Sequence, residues 1–250
     1  MATFVLVHGA MHGGWCWRDV RRRLEADGHD VHTPTLTGQG ERRQSLTRDV
    51  GLSTHVADLA ELLWFEDLAD VHLVLHSYAG ALAGPVADQR GDRLASVVYL
   101  GAFVTRPGQS LLDVEPPAVG ERYLQLAAAS GDGWYVPASD RFLDQWGVTD
   151  EGLRALVAPR LTDFPLRCVT EATEFDPTAL DRLRKVYVRH TDPPLTSLDA
   201  SVGVALGAGW EFHDVPCGHD LMLEAPGHVA DVLEAVASTA AAGTQGGTPD

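Results

Sequence analysis

The sequence predicts a single α/β domain built on a doubly wound, mostly parallel sheet. Three observations predict it. Short apolar runs alternate with amphipathic helical segments, and most of these runs end in loops punctuated by Gly, His or Pro. The chain has 250 residues, of which 45% are hydrophobic and 22% charged, which suits one substantial core without stabilising disulfides.

The first half of the chain shows the alternation most clearly. Thr3–Val7 has the pattern of a buried strand, and Arg18–Ala26 has helical spacing with Gly28 placed to end the helix. The pattern then predicts a strand at 29–34, a helix at 54–65 and strands at 71–75 and 94–100. Another helix is predicted to begin at Tyr78, between these last two strands.

The second half predicts a break in the sheet and then its return. Residues 105–180 contain few strand-like runs but several Pro, Gly and aromatic residues, which indicates a helical lid over the sheet. Strands are predicted at 185–189 and 209–215, and a last helix at 226–237. The core therefore comprises 1–104 and 181–237, and the Ala-, Gly- and Thr-rich tail 238–250 is predicted to be disordered.

Composition excludes several classes of protein. The formal net charge of −16 argues against a nucleic-acid partner. No apolar stretch approaches the roughly 20 residues of a membrane span, and the strand at Thr3 leaves no room for a signal peptide. Three cysteines at unrelated spacings favour a reducing compartment, so we expect a cytoplasmic protein without a membrane partner. Neither metal-ligand nor phosphate-loop spacing is present, so we expect no metal and no cofactor.

Ser77 is the first candidate for chemistry. It lies at the end of a buried apolar run and directly before the small residues that start a helix. Such a sharp strand-to-helix turn exposes a hydroxyl above the sheet edge, but serine is a weak nucleophile without a base.

A base and an acid follow Ser77 in the chain. His219 lies in the loop after the strand predicted at 209–215, and Asp192 lies just past the preceding strand. The loop around Gly9 follows the first strand and is a candidate oxyanion site. In a parallel sheet these loops share one edge, and the order Ser, Asp, His is the one this architecture uses. Asp192 is the predicted acid, with Asp199 as the alternative.

Four stretches carry a resemblance to a known family: FVLVHGAMHGGWCW from Phe4, TPTLTGQGER from Thr33, HSYAG from His76 and GHDLMLEAP from Gly218. On these stretches the chain resembles the α/β-hydrolases, specifically their small esterase and hydroxynitrile-lyase branch. It is most similar to bacterial carboxylesterases of the pyrethroid-hydrolase type and to plant methyl esterases.

The resemblance implies a cofactor-independent serine hydrolase with a catalytic triad. Ser77 would attack an acyl carbonyl, His219 would take its proton, and Asp192 would hold the imidazole. The backbone N–H groups of Ala10 and Tyr78 would form the oxyanion hole.

The expected substrate is a small or medium, largely apolar carboxylic ester. His12, Trp134 and Trp146 are candidate pocket residues. His8 is interpreted as a brace for the oxyanion loop and His76 as a packing residue beside the elbow. A homodimer is left open.

Two departures from the family pattern leave other functions open. Leu75 stands where the family has glycine, so it must either push the elbow open or find unusual space, and Leu75→Gly is predicted to alter activity without unfolding the protein. Asp192 lies one residue earlier than the family's acid. The alternatives are a non-hydrolytic tailoring enzyme, for lactone, cyclisation or decarboxylation chemistry, and a ligand-binding protein on the same scaffold. Gly9 and Asp220 replace the threonine and lysine of hydroxynitrile lyases and argue against cyanogenesis.

Overall fold

The computed structural model describes residues 1–243, and of residues 239–243 it describes only the backbone. The strands are β1 (Thr3–Val7), β2 (Asp30–His32), β3 (Val71–His76), β4 (Leu94–Leu100), β5 (Tyr135–Val136), β6 (Phe164–Pro165), β7 (Arg184–His190) and β8 (Glu211–Val215). Within this part of the chain, six strands form one parallel sheet in the order β2-β1-β3-β4-β7-β8. The predicted fold class is confirmed.

The α-helices are α1 (Arg18–Ala26), α2 (Leu52–Phe65), α3 (Ala83–Arg90), α4 (Pro117–Ser130), α5 (Arg141–Gln145), α6 (Glu151–Val157), α7 (Arg167–Thr170), α8 (Thr178–Arg182), α9 (Asp199–Gly207), α10 (Leu221–Glu224) and α11 (Pro226–Gly243). The bounds of β1, α1 and β4 are as predicted, and Gly28 has the positive φ, 85°, of a helix-ending glycine. Among the described residues, no helix is both long enough and apolar enough to cross a bilayer.

The last helix is longer than predicted. It continues past Ala237 to Gly243, so residues 238–243 are helical where the composition predicted disorder. The alanines in this stretch explain the difference, because alanine is the best helix former and extends a helix that its first turns have already anchored. The rest of the predicted tail, residues 244–250, lies outside the described part of the chain.

Both faces of the sheet are covered, as the apolar strands require. In β3, Leu73 and Leu75 belong to the core cluster that includes residues of α2 and α3, whereas Val74 belongs to the cluster that includes residues of α1 and α11. Alternate strand residues therefore pack against opposite layers.

The segment between β4 and β7 lies over one edge of the sheet. It is mainly helical, as the scarcity of strand patterns predicted, but it also contains the antiparallel pair β5–β6, which was not predicted. Phe142 and Phe164, which are buried, and the partly buried Trp146 pack into the core cluster that also contains Tyr78. This segment supplies the roof of the site described next.

Candidate active site

Ser77 occupies a tight turn at the carboxyl end of β3. Its φ is 55°, a left-handed conformation that is uncommon for a non-glycine residue, and a 3-10 turn then leads into α3. Gly80 permits the close approach at this turn, because a Cβ there would lie 2.1 Å from the Phe103 carbonyl oxygen. Leu75 is fully buried in the core, and the turn is formed above it. Leu75 therefore finds space in the core without pushing the turn open, and the effect of Leu75→Gly on activity stays a prediction.

His219 faces this turn from the loop that follows β8. Its Nε2 lies 2.9 Å from Ser77 Oγ, and its carbonyl oxygen accepts a hydrogen bond of 2.9 Å from His76 Nε2. The rings of His76 and His190 pack against it, with centroids 4.8 and 4.9 Å away. Burial, together with these neighbouring rings, lowers the pKa of His219 well below its ordinary value. The imidazole is therefore neutral near pH 7 and can accept the serine proton.

The predicted acids do not reach this histidine. Asp192 and Asp199 are exposed, and among the described residues the Nδ1 atom of His219 has no hydrogen-bond partner. The chain leaves the sheet after His190, and the backbone N–H of Asp192 donates to the Cys217 carbonyl at 3.0 Å. This connection places the Asp192 carboxylate toward solvent, so the expected contact between His219 and a carboxylate is absent from the described part of the chain.

A buried ion pair lies beside the histidine instead. The Asp220 side chain is fully buried, with Oδ2 3.3 Å from His12 Nε2. Burial alone would lower the pKa of His12, but the Asp220 carboxylate outweighs it and raises this pKa. Burial opposes ionisation of Asp220 too, and His12 reverses the effect and lowers the pKa of the carboxyl group. The Asp220 carboxylate is therefore ionised near neutral pH, and it favours the protonated form of His12. The His12 Nδ1–H also donates to the Ala10 carbonyl at 2.9 Å.

Sequence reasoning missed two of the residues around His219. His190 was passed over because it fits no metal motif, yet it is the last residue of β7, and neither of its buried ring nitrogens has a partner in the described chain. Asp220 was used only to argue against lyase chemistry. Its position directly after the catalytic histidine candidate was the one signal that could have identified it.

The loop after β1, which is the predicted oxyanion loop, is held against the turn at Ser77 by His8 and Gly9. The His8 Nδ1–H donates to the Gly9 carbonyl at 2.8 Å, and Nε2 accepts from the Leu36 N–H at 3.0 Å. Burial lowers the pKa of His8 to about 3, which keeps this brace neutral. A Cβ on Gly9 would lie 2.8 Å from His76 Nδ1 and 2.9 Å from Ser77 Cβ, so only glycine fits here.

Tyr78, the other predicted oxyanion residue, is held by its side chain. His55 Nε2 lies 2.8 Å from the Thr37 carbonyl and must donate to it, so His55 Nδ1 is the acceptor for the Tyr78 hydroxyl, also at 2.8 Å. The Tyr78 ring makes an edge-to-face contact with Phe164, centroid to centroid 4.9 Å. These contacts order the backbone directly after Ser77.

A narrow cavity connects Ser77, Ala10 and Tyr78 with the roof. Its other lining residues are mostly apolar: Met11, Phe103, Leu111, Val136, Phe142, Trp146, Phe164 and Val169, together with Glu115 and Tyr123. His12 and Trp134 are not among the lining residues. The His12 ring packs against Trp15 and Trp146. The Trp134 ring packs on Tyr135 and lies under the Arg48 guanidinium.

Known proteins are similar to this chain in sequence and in fold. The profile of the alpha/beta hydrolase family matches residues 4–232. The carbendazim hydrolyzing esterase of Nocardioides sp. is 36% identical over 245 residues, covering 94% of this chain and 100% of that protein. Methylesterase 7 of Arabidopsis thaliana is 39% identical over 103 residues, which covers 40% of each chain.

A solved structure agrees at the level of the fold. An extracellular alpha/beta-hydrolase from a Paenibacillus species superposes with a TM-score of 0.83 at 22% identity, covering 93% of this chain and 98% of that one. The resemblance inferred from the four sequence stretches is confirmed. The chain belongs to the alpha/beta hydrolase family, as an enzyme of its esterase branch.

Proposed function

We propose that the protein hydrolyses small or medium, largely apolar carboxylic esters through an acyl-enzyme on Ser77. The observation that carries this proposal is the 2.9 Å contact between Ser77 Oγ and a neutral His219 imidazole at a strained strand-to-helix turn. Esterase relatives support the reaction class. The apolar walls of the cavity support the substrate preference.

The chemistry proceeds in two halves. The Ser77 oxygen bonds to the carbonyl carbon while His219 Nε2 takes its proton; the same proton then passes to the departing alkoxide as the ester bond breaks. A water molecule next gives its proton to His219 and its oxygen to the acyl carbon. Collapse of this second intermediate returns the proton to Ser77 and releases the carboxylic acid.

Charge on the carbonyl oxygen would be held by the backbone N–H groups of Ala10 and Tyr78. Both residues line the cavity beside Ser77. A donor of this kind is typically worth about 3 kcal/mol to the transition state. The His8 and His55 contacts support this assignment, because they fix the loop and the turn before substrate arrives.

The test compares wild type with Ser77→Ala on p-nitrophenyl esters of increasing acyl length. We expect Ser77→Ala to lower kcat by roughly 10⁴-fold or more. Ser53→Ala, at an exposed serine of α2, is the matched control and should retain full activity. A fluorophosphonate probe should label Ser77, as read by mass spectrometry. Full turnover in Ser77→Ala would contradict the proposal.

One observation favours a second candidate, non-hydrolytic chemistry in the same cavity. A histidine with no acceptor at Nδ1 lacks the carboxylate that assists most serine hydrolases, whereas it can still move a proton on a bound substrate. Decarboxylation of a β-keto acid by Ser77→Ala, lost in His219→Ala, would support this candidate.

A further inference from the structure

Glu115 is a buried acid in the wall of the catalytic cavity. It precedes α4 and is only 6% exposed. Its Oε1 accepts a hydrogen bond of 3.2 Å from the Tyr123 hydroxyl, but Oε2 has no hydrogen-bond partner in the described chain. No Lys, Arg or His side chain among the described residues makes an ion pair with it. The same cavity contains Ser77.

A half-satisfied buried carboxyl group opposes folding, so its presence calls for an explanation. The surrounding wall offers little compensation, because it consists mainly of aromatic and aliphatic side chains. The Ser197 hydroxyl lies near the carboxyl group but makes no hydrogen bond to Oε2 in the described chain. A bound molecule that brings a hydrogen-bond donor to Oε2 would complete the group's hydrogen bonding at the moment of binding. Such a site rejects analogues without the donor, because they leave the buried oxygen unpaired.

We propose that Glu115 is a specificity-determining residue that binds an N–H group on the non-reacting part of an aromatic ester substrate. The ester part of this inference rests on the proposed function. The aromatic ring and the N–H group of the ligand are inferred from the cavity alone. The aromatic preference follows from the flat rings of Phe103, Phe142 and Phe164 in the wall, against which a substrate ring can stack.

The protonation of Glu115 agrees with this role. Burial raises its pKa to about 7, and the Tyr123 and Ser197 hydroxyls oppose the shift. Near neutral pH the carboxyl group therefore exists in both forms. The ionised form accepts from a neutral or a protonated nitrogen, and the protonated form retains one acceptor oxygen. A nitrogen donor is therefore recognised in either state.

The test measures binding without turnover, in the Ser77→Ala protein with and without Glu115→Leu. The probes are matched pairs in which one member carries an amino group and the other a methyl group at the same ring position. They are methyl 3- and 4-aminobenzoate with the corresponding methyl toluates, and 3- and 4-aminophenyl acetate with the corresponding tolyl acetates. These pairs place the donor on either side of the ester. Dissociation constants are read from tryptophan fluorescence, since Trp146 lines the cavity, and by calorimetry.

We expect at least one amino probe to bind more tightly than its methyl partner, and Glu115→Leu to reduce that preference by about tenfold or more. Tyr123→Phe, which keeps the carboxyl group, should keep the preference. Glu115→Met, which also removes both acceptor oxygens, serves as the second variant if Glu115→Leu does not fold. The proposal would be overturned if, in every pair, the ratio of the two dissociation constants were the same with and without the carboxyl group.

The outcome is independent of whether the protein hydrolyses esters. If the wild type turns over none of these esters but Glu115 still controls the amino preference, the proposed hydrolysis fails and the ligand class stands. If the wild type hydrolyses both members of each pair and Glu115→Leu leaves the preference unchanged, hydrolysis stands and the role of Glu115 fails.

Discussion

His219 and Ser77 make a contact of 2.9 Å between Nε2 and Oγ, while the other ring nitrogen of the same histidine has no hydrogen-bond partner in the described chain. The ring is held instead by packing against His76 and His190 and by the backbone bond from His76. A carboxylate normally both orients this imidazole and stabilises its protonated form. Here packing supplies the orientation, and the buried carboxylate of the next residue, Asp220, is paired with His12.

The first prediction separates the two aspartates. Asp192→Asn should change kcat by less than about threefold, whereas replacing a true triad acid by its amide costs about 10⁴-fold. Asp220→Asn should have a larger effect, and on stability, because it leaves buried His12 without its counter-charge. We expect the free energy of unfolding to fall by about 1–3 kcal/mol. Ester hydrolysis and urea unfolding of both variants provide the measurements. A 10⁴-fold loss in Asp192→Asn would show that its side chain turns inward and completes a triad.

The second prediction concerns Leu75, which is fully buried in the core cluster that includes α2 and α3 side chains. Leu75→Ala should lower the free energy of unfolding by about 2–5 kcal/mol, as deletion of a buried leucine side chain does. Hydrolysis at a temperature where the variant is folded should stay close to wild type, since the turn at Ser77 is already formed. Denaturant unfolding beside kcat/KM provides the measurement. Altered activity at wild-type stability would restore the idea that Leu75 reshapes the elbow.

The third prediction tests the close approach at Gly9. Gly9→Ala places a Cβ 2.8 Å from His76 Nδ1 and 2.9 Å from Ser77 Cβ, so the loop proposed to hold the oxyanion must move away from Ser77. Displacing one oxyanion donor should lower kcat by roughly 10²-fold. Gly203→Ala is the matched control, because a Cβ there meets nothing within 4 Å and the residue lies inside α9. Equal kcat values for the two variants would mean that the loop is not part of the site.

The sequence predicted the sheet better than it predicted the site. The bounds of β1, α1 and β4 could be predicted to the residue, because apolar runs and helical spacing are properties of neighbours in the chain. The pair β5–β6 could not, since strands of two residues carry no periodicity. Ser77 and His219 follow from their positions after strands. Whether a loop carboxylate turns toward the histidine depends on packing that no local pattern encodes, which is why Asp192 was chosen and Glu115 was missed.

The fourth prediction concerns the pH dependence of hydrolysis. Burial and the neighbouring histidines lower the pKa of His219, and catalysis needs this ring neutral, so kcat/KM should stay level as the pH falls through 6.5 and decline only in more acidic solution. A base whose pKa was raised by a carboxylate would instead lose activity as the pH fell through 7. The measurement uses p-nitrophenyl butyrate, which carries no N–H group, with circular dichroism to verify folding at each pH.

Glu115 provides the control for this profile, because its pKa of about 7 introduces a second titration in the same cavity. An inflection near pH 7 that disappears in Glu115→Leu belongs to the carboxyl group and leaves the prediction for His219 intact. An inflection near pH 7 that persists in Glu115→Leu belongs to His219 or to His12, whose pKa Asp220 raises. Asp220→Asn separates the two, because it removes the cause of the His12 shift. If the inflection also persists in Asp220→Asn, it belongs to His219 and shows that Nδ1 of this imidazole meets a carboxylate during catalysis.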